Sequence, residues 1–125
     1  MINFIDKIPF IIAEISANHN GSLNNAIKIV RAAADAGVSA IKLQTYTADT
    51  MTIKTNKKGF VVNSKNSIWQ GYTLYNLYKK AHTPWSWHKK IFQEAKKLGL
   101  QYFSTPFDPS AIKFLKQFNL PIYKV

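Results

Sequence analysis

Apolar and polar residues alternate along this chain in blocks that change period, and each change marks a new element. Phe10 to Ser16 is a short apolar run, FIIAEIS, of the length expected for a buried strand. Ser22 then offers an N-cap side chain. Leu23, Ala26, Ile27, Val30 and Ala34 follow at helical spacing, so one face of that helix is apolar. Gly37 stands where a helix stops, and Val38 to Thr45 reads as a second strand. From about Tyr46 to His82 the period breaks. This stretch holds a possible extended piece at Phe60 to Val62 and a short helix over Leu74, Leu77 and Tyr78. Connections of this length are usually functional or disordered, and its aromatic residues argue against disorder. Thr83-Pro84 is read as a cap followed by proline in the first helical turn. Trp87, Ile91, Ala95 and Leu98 then give an apolar face, and Gly99 ends the helix. Leu100 to Ser104 is a third strand. Asp108-Pro109 repeats the cap-and-proline device before a helix lined by Ala111, Phe114, Leu115 and Phe118. Pro121 leads into a fourth strand, Ile122 to Val125.

The order is β-α-β-insert-α-β-α-β. Strands that alternate with helices predict βαβ units and a parallel sheet. No internal repeat, low-complexity tract or linker divides the chain. A last strand without a covering helix would leave an open edge, and four strands are half of a closed eight-stranded barrel. The expectation is therefore an α/β fold, a partial (β/α)8 TIM barrel of about the first four strands. Residues 1–125 would be its N-terminal half, truncated before the rest.

The chain has 125 residues, 46% of them apolar, which suits one domain with a core. It contains no cysteine, which excludes disulfides and thiol-ligated metal. No apolar run is long enough to span a bilayer, and Met1 to Phe10 lacks the order of a signal peptide. The expected setting is the cytoplasm, with no membrane partner. Charge complicates this picture. Seventeen Lys and Arg oppose six Asp and Glu, for a net +11. Such an excess is one signature of nucleic-acid binding. Here the lysines are scattered as separate pairs (Lys57-Lys58, Lys79-Lys80, Lys89-Lys90, Lys96-Lys97), which reads better as an ordinary solvated surface.

Polar residues sit inside the strands, where a plain core would exclude them. Ala40, Lys42 and Gln44 share one face of the second strand, opposite Ile41 and Leu43. Ile12, Glu14 and Ser16 share a face of the first, and Lys124 alternates with Tyr123 and Val125 in the fourth. A buried unpaired charge costs several kcal/mol, so these groups need partners. In an α/β barrel, polar residues at strand C-terminal ends line the ligand mouth. Glu14, Lys42, Gln44, Thr105 and Lys124 would converge there. The competing account is a Glu14–Lys42 ion pair that serves structure alone. The turn Asn18-His19-Asn20-Gly21 offers His19 either as a general acid or as a residue that holds the loop. His82 and His88 read as structural or solvent-facing, and the histidines lack a compact metal-ligand spacing. Trp69, Tyr72, Tyr75, Tyr78, Trp85 and Trp87 form an aromatic cluster. Core packing is the default for such a cluster, and a substrate-covering lid fits only Trp69 and Tyr72.

Four segments together resemble the sialic acid synthase family: Ile12 to Gly21, Ile41 to Thr45, Phe103 to Phe107, and Pro121 to Lys124. The series Trp69-Gln70-Gly71, Leu74 to Tyr78 and Thr83 to His88 resembles the pseudaminic acid branch of that family. The resemblance implies condensation of phosphoenolpyruvate with the open-chain aldehyde of an N-acetylated amino sugar, a 2,4-diacetamido-2,4,6-trideoxy hexose. It implies that Lys42, Thr105 and Lys124 hold phosphoenolpyruvate. Glu14 would be a proton-transfer group near the aldehyde, and Gln44 a polar substrate contact. Asn18 and His19 would lie in the same mouth, with Asn18 binding and His19 catalytic. It also implies a divalent metal, Mn or Mg, with ligands beyond Val125, a C-terminal antifreeze-like domain, and a homodimer. These residues alone are then expected to be inactive. The alternatives are an N-acetylneuraminate or legionaminate synthase of the same family, another phosphoenolpyruvate aldolase, and a non-catalytic basic fragment that binds anionic polymers.

Overall fold

The computed structural model describes residues 9–125. The reading of Met1 to Phe10 falls almost entirely outside them. A parallel three-stranded sheet runs through the molecule in the order β1 (Ile12–Glu14), β2 (Ala40–Thr45), β3 (Gln101–Pro106). Helix α1 (Leu23–Asp35) connects the first two strands. The second connection is longer and carries α2 (Ala48–Met51), α3 (Leu74–Ala81) and α4 (His88–Lys97). Helix α5 (Pro109–Leu115) follows β3 and ends in a 3-10 turn, Lys116–Phe118.

Local chemistry explains most boundaries. Ser22 Oγ accepts from the Asn25 amide at 3.3 Å and starts α1. Gly37 takes φ +79° just past the helix end, where a side chain would be strained. Asp108 Oδ1 accepts from the Ser110 and Ala111 amides at 2.7 and 3.2 Å, with Pro109 in the first turn of α5. Those hydrogen bonds to the charged form hold the Asp108 carboxyl below its ordinary range, against the opposing effect of burial.

The core lies on the helix-facing side of the sheet. Ile15, Ile41 and Leu43 pack with Ala26 and Val30 of α1, Ile91, Phe92 and Ala95 of α4, and Leu115 of α5. Parity in the strands sets this. Ile41 and Leu43 point at the helices, so Ala40, Lys42 and Gln44 point the other way. Arg31 and Glu94 add an ion pair of 2.6 Å between α1 and α4.

Several expectations need correction. The fourth strand, Ile122 to Val125, is reduced to one parallel bridge between Ser104 and Tyr123. Thr83-Pro84 does not open an α-helix. A 3-10 turn, Trp85–Trp87, comes first and α4 starts at His88. Leu98 lies past the end of α4 and is exposed rather than part of its apolar face. The first strand is shorter than Phe10 to Ser16, since Ser16 takes φ +46° and turns the chain away. Helix α2 was not foreseen. In the insert, Val61 bridges Thr73 antiparallel, and α3 forms where the apolar spacing placed it. Among the described residues no helix is long and apolar enough to cross a membrane.

Replacing Asp108 with Ala should remove the α5 cap and cost about 1 kcal/mol, read as a lower urea midpoint at unchanged slope.

Candidate active site at the strand ends

Register brings the polar strand residues together in rows. Glu14 pairs with Lys42 across β1 and β2, and Gln44 pairs with Thr105 across β2 and β3. All four point away from the helices, toward the C-terminal ends of the strands. The Lys42 side chain is only 8% exposed and its Nζ lies 2.5 Å from Glu14 Oε1, whose own side chain is 54% exposed. The lysine is thus desolvated while its carboxylate partner faces solvent. The ion pair considered from sequence exists, and it is open on the Glu14 side. One row further along, Thr105 Oγ1 is buried with no hydrogen-bond partner among the described residues. A buried hydroxyl in that state normally has a ligand or water.

Lys124 sits differently. Its amide donates to Ser104 O at 3.4 Å, one residue beyond the Ser104–Tyr123 bridge. Parity puts it on the Thr105 side of β3, but its side chain is exposed and makes no contact with Lys42 or Glu14.

The β1–α1 turn has a separate organisation. Ser16 and Asn20 both take φ +46° and Gly21 takes +70°, which coils the turn tightly. His19 is fully buried inside it. Its Nδ1 accepts from the Gly21 amide at 3.1 Å, so in the neutral ring Nε2 carries the proton and faces Thr83 Oγ1 at 3.4 Å. The ring also meets Trp87 edge-on at 5.3 Å. Burial holds the imidazole below the ordinary histidine value, and nearby His82 adds to this. His19 therefore joins the turn to the start of α4, and none of its contacts is to Glu14 or Lys42. Asn18 is exposed and lines a cleft of about 400 Å³ with Asn20, Gly21, Trp69 and Lys80.

A second buried network was not recognised from sequence. His88 Nε2 lies 2.8 Å from Thr45 Oγ1, which lies 2.7 Å from Ser104 Oγ. His88 Nδ1 faces the Pro84 carbonyl at 3.4 Å, which can only accept. The proton is thus on Nδ1, and the hydroxyls run Ser104 to Thr45 to His88 Nε2 as successive donors. Thr45 and Ser104 flank Gln44 and Thr105 in sequence, so this network ties together the strand ends that carry the candidate site. The sequence reading left His88 as structural or solvent-facing; it is fully buried, three residues before Ile91 on the apolar face of α4, and the strand hydroxyls carried no comparable signal.

Among the described residues no group of three or more His, Asp or Glu side chains is placed to hold a metal ion. His19 and His88 have both ring nitrogens engaged, and Glu14 is paired with Lys42. A divalent metal therefore does not fit the residues described here.

A parallel sheet with polar strand ends and a long aromatic insert defines an α/β protein with a candidate site at the C-terminal ends of its strands. The chain belongs to the NeuB family, whose model matches residues 29–125. It is 48% identical over 120 residues to the pseudaminic acid synthase of Campylobacter jejuni subsp. jejuni serotype O:23/36, covering 96% of this chain and 34% of that protein. It is 42% identical to the pseudaminic acid synthase of Helicobacter pylori, covering 94% of this chain and 34% of that one. The structure of the N-acetylneuraminic acid (sialic acid) synthetase from Leptospira borgpetersenii serovar Hardjo-bovis, in complex with citrate, superposes with a TM-score of 0.72 at 30% identity. That match covers 93% of this chain and 35% of the other. The chain thus spans about a third of the length of the curated relatives it matches.

The His88 network predicts a pH dependence. Burial pushes the His88 imidazole down to about 4. Its neutral form is favoured by folding, so its contribution is complete above the unfolded value near 6.5 and is lost as pH falls toward 4. Unfolding free energy measured in urea should drop by roughly 3 kcal/mol more across that window than in His88→Asn. Equal slopes in the two proteins would show that His88 does not titrate this way.

Proposed function

We propose that this chain is part of a pseudaminic acid synthase, and that its three strands are the opening part of a (β/α)8 barrel. The protein would condense phosphoenolpyruvate with a 2,4-diacetamido-2,4,6-trideoxy hexose. The observation that carries this reading is the desolvated Lys42 beside Glu14, with the unpartnered Thr105 hydroxyl and Gln44 one row further along. The similarity to pseudaminic acid synthases supports the choice of branch.

In the proposed reaction the methylene carbon of phosphoenolpyruvate attacks the aldehyde carbon and a C–C bond forms. Water adds at the neighbouring carbon, the bond to phosphate breaks, and a nine-carbon keto acid and phosphate leave. Lys42 supplies a fixed positive charge to the phosphate or carboxylate of phosphoenolpyruvate. Its low exposure strengthens that attraction, because little water screens it. Thr105 Oγ1 donates to the same anion, and Lys124, one strand position further out, closes on it from the edge. Gln44 orients the substrates between these groups. Glu14 is exposed enough to exchange protons, so it is assigned to take a proton from the added water and pass it to the aldehyde oxygen, while the water's second proton leaves with phosphate. Asn18 contacts the sugar from the rim. His19 keeps the turn in shape, and its assignment as an acid is the weaker of its two readings, since both nitrogens are engaged. The divalent metal that the family resemblance implies, Mn or Mg, finds no ligand set among the described residues. The homodimer and the cytoplasmic setting belong to the same proposal.

The test is to express the product of the complete gene and follow phosphate release with phosphoenolpyruvate, manganese and a panel of N-acetylated hexoses. Release with the 6-deoxy-diacetamido-altrose alone is the expected result. Release with N-acetylmannosamine alone would assign the chain to a different branch. Lys42→Met should lower kcat/KM for phosphoenolpyruvate by about ten- to a hundredfold, the worth of one hydrogen bond to a charged group.

A further inference from the structure

The cleft at the β1–α1 turn has walls of two kinds. One wall is polar: Asn18, Asn20 and Gly21. Both asparagine side chains are exposed and have no hydrogen-bond partner among the described residues. The other wall comes from the insert, with Ile68, 88% exposed, beside Trp69. Lys80 closes the space from α3. Its Nζ stands 5.7 Å from the centre of the Trp69 ring and 5.4 Å from that of Tyr72, and it donates to the Tyr72 hydroxyl at 3.3 Å. Trp69 and Tyr72 meet edge to face at 5.5 Å. Among the described residues no carboxylate reaches Lys80. The two rings hold the ammonium in place without neutralising it, so it keeps donors for a ligand.

This combination offers a ligand both apolar surface and hydrogen-bonding groups. An exposed isoleucine and an indole favour a ligand with an apolar patch, such as a methyl group or the methyls of acetamido substituents. The ammonium and the two carboxamides favour amide carbonyls and hydroxyls on the ligand's other side. A deoxygenated sugar that carries acetamido groups presents both. We propose that this cleft binds the acetamido and deoxy end of the sugar substrate, and that Trp69 and Lys80 determine which N-acetylated sugar is accepted. The proposal rests on the synthase reading above. It assigns the sugar's distal end to a cleft separate from the Glu14–Lys42 pair, and it accounts for the aromatic insert.

The experiment uses the protein expressed from the complete gene and compares Trp69→Ala, Trp69→Phe and Lys80→Met with the unaltered enzyme. KM for the diacetamido sugar should rise about tenfold in Trp69→Ala and Lys80→Met, the scale of one lost aromatic or cation contact, while KM for phosphoenolpyruvate stays the same. Trp69→Phe should recover most of the loss. The preference for the diacetamido sugar over N-acetylmannosamine should narrow in Trp69→Ala. Unchanged sugar KM in both truncating variants overturns the proposal, as does a rise confined to phosphoenolpyruvate. If Trp69→Ala does not fold, Lys80→Met decides, because that side chain is exposed. If the unaltered enzyme turns over none of these sugars, the synthase reading fails by itself. The cleft is then judged by saturation-transfer NMR with the diacetamido sugar, whose methyl signals should weaken on going to Lys80→Met. No transfer to the unaltered protein would overturn the cleft assignment as well.

Discussion

Strand β2 is buried along most of its length, and a charge within it has to find an opposite charge on a neighbouring strand. Lys42 is that charge. Parallel pairing places Glu14 directly beside it, and no shift of register by one residue would do so, because each such shift reverses the faces. The same register that sends Ile41 and Leu43 to the helices therefore sends Lys42, Gln44, Glu14 and Thr105 to the opposite side. Packing and site share one cause. A substitution that relieved the buried charge by making Lys42 apolar would leave the core intact and remove the cation from the strand ends.

The legibility of these features from sequence follows the range over which their causes act. The cap at Ser22, the stop at Gly37 and the cap at Asp108 each depend on a few adjacent residues, and all three form as read. Alternation within β2 is equally local, so the Lys42 and Gln44 face was visible before any tertiary contact. The start of α4 was misplaced because Thr83, a good cap by type, is drawn instead toward His19, which lies 64 residues earlier in the chain. The apolar alternation at Ile122 to Val125 reads as a strand, but pairing with β3 is a long-range contact and forms only at Tyr123 and the Lys124 amide. The Thr45–Ser104–His88 chain was invisible for a related reason. Two hydroxyls on different strands and one imidazole on a helix carry no shared spacing.

The insert shows how a segment without a regular period still acquires order. Trp85 Nε1 donates to the Tyr46 carbonyl at 3.2 Å, and Tyr46 meets Tyr78 and Phe107 edge to face. Tyr75 donates to Asp49 at 2.9 Å, which ties α3 to α2. These contacts fasten both ends of the insert to the sheet and leave its middle, around Ile68 and Trp69, projecting beside the β1–α1 turn. The same composition thus divides into two uses. Tyr46, Tyr78 and Trp85 anchor the segment, while Trp69 and Tyr72 hold an ammonium at a cleft.

The burial of His19 belongs to the same arrangement. A turn with two non-glycine residues, Ser16 and Asn20, in the left-handed region is strained unless something fixes it, and the imidazole helps by accepting from Gly21 and reaching Thr83. Its depressed basicity keeps it neutral near pH 7, so it can accept at Nδ1 and donate at Nε2 at once. Protonation would turn Nδ1 into a second donor facing the Gly21 amide. The turn would then lose the hydrogen bond from the Gly21 amide. On this account the histidine matters to the cleft through the shape of the turn, and the two asparagines on either side of it line that cleft.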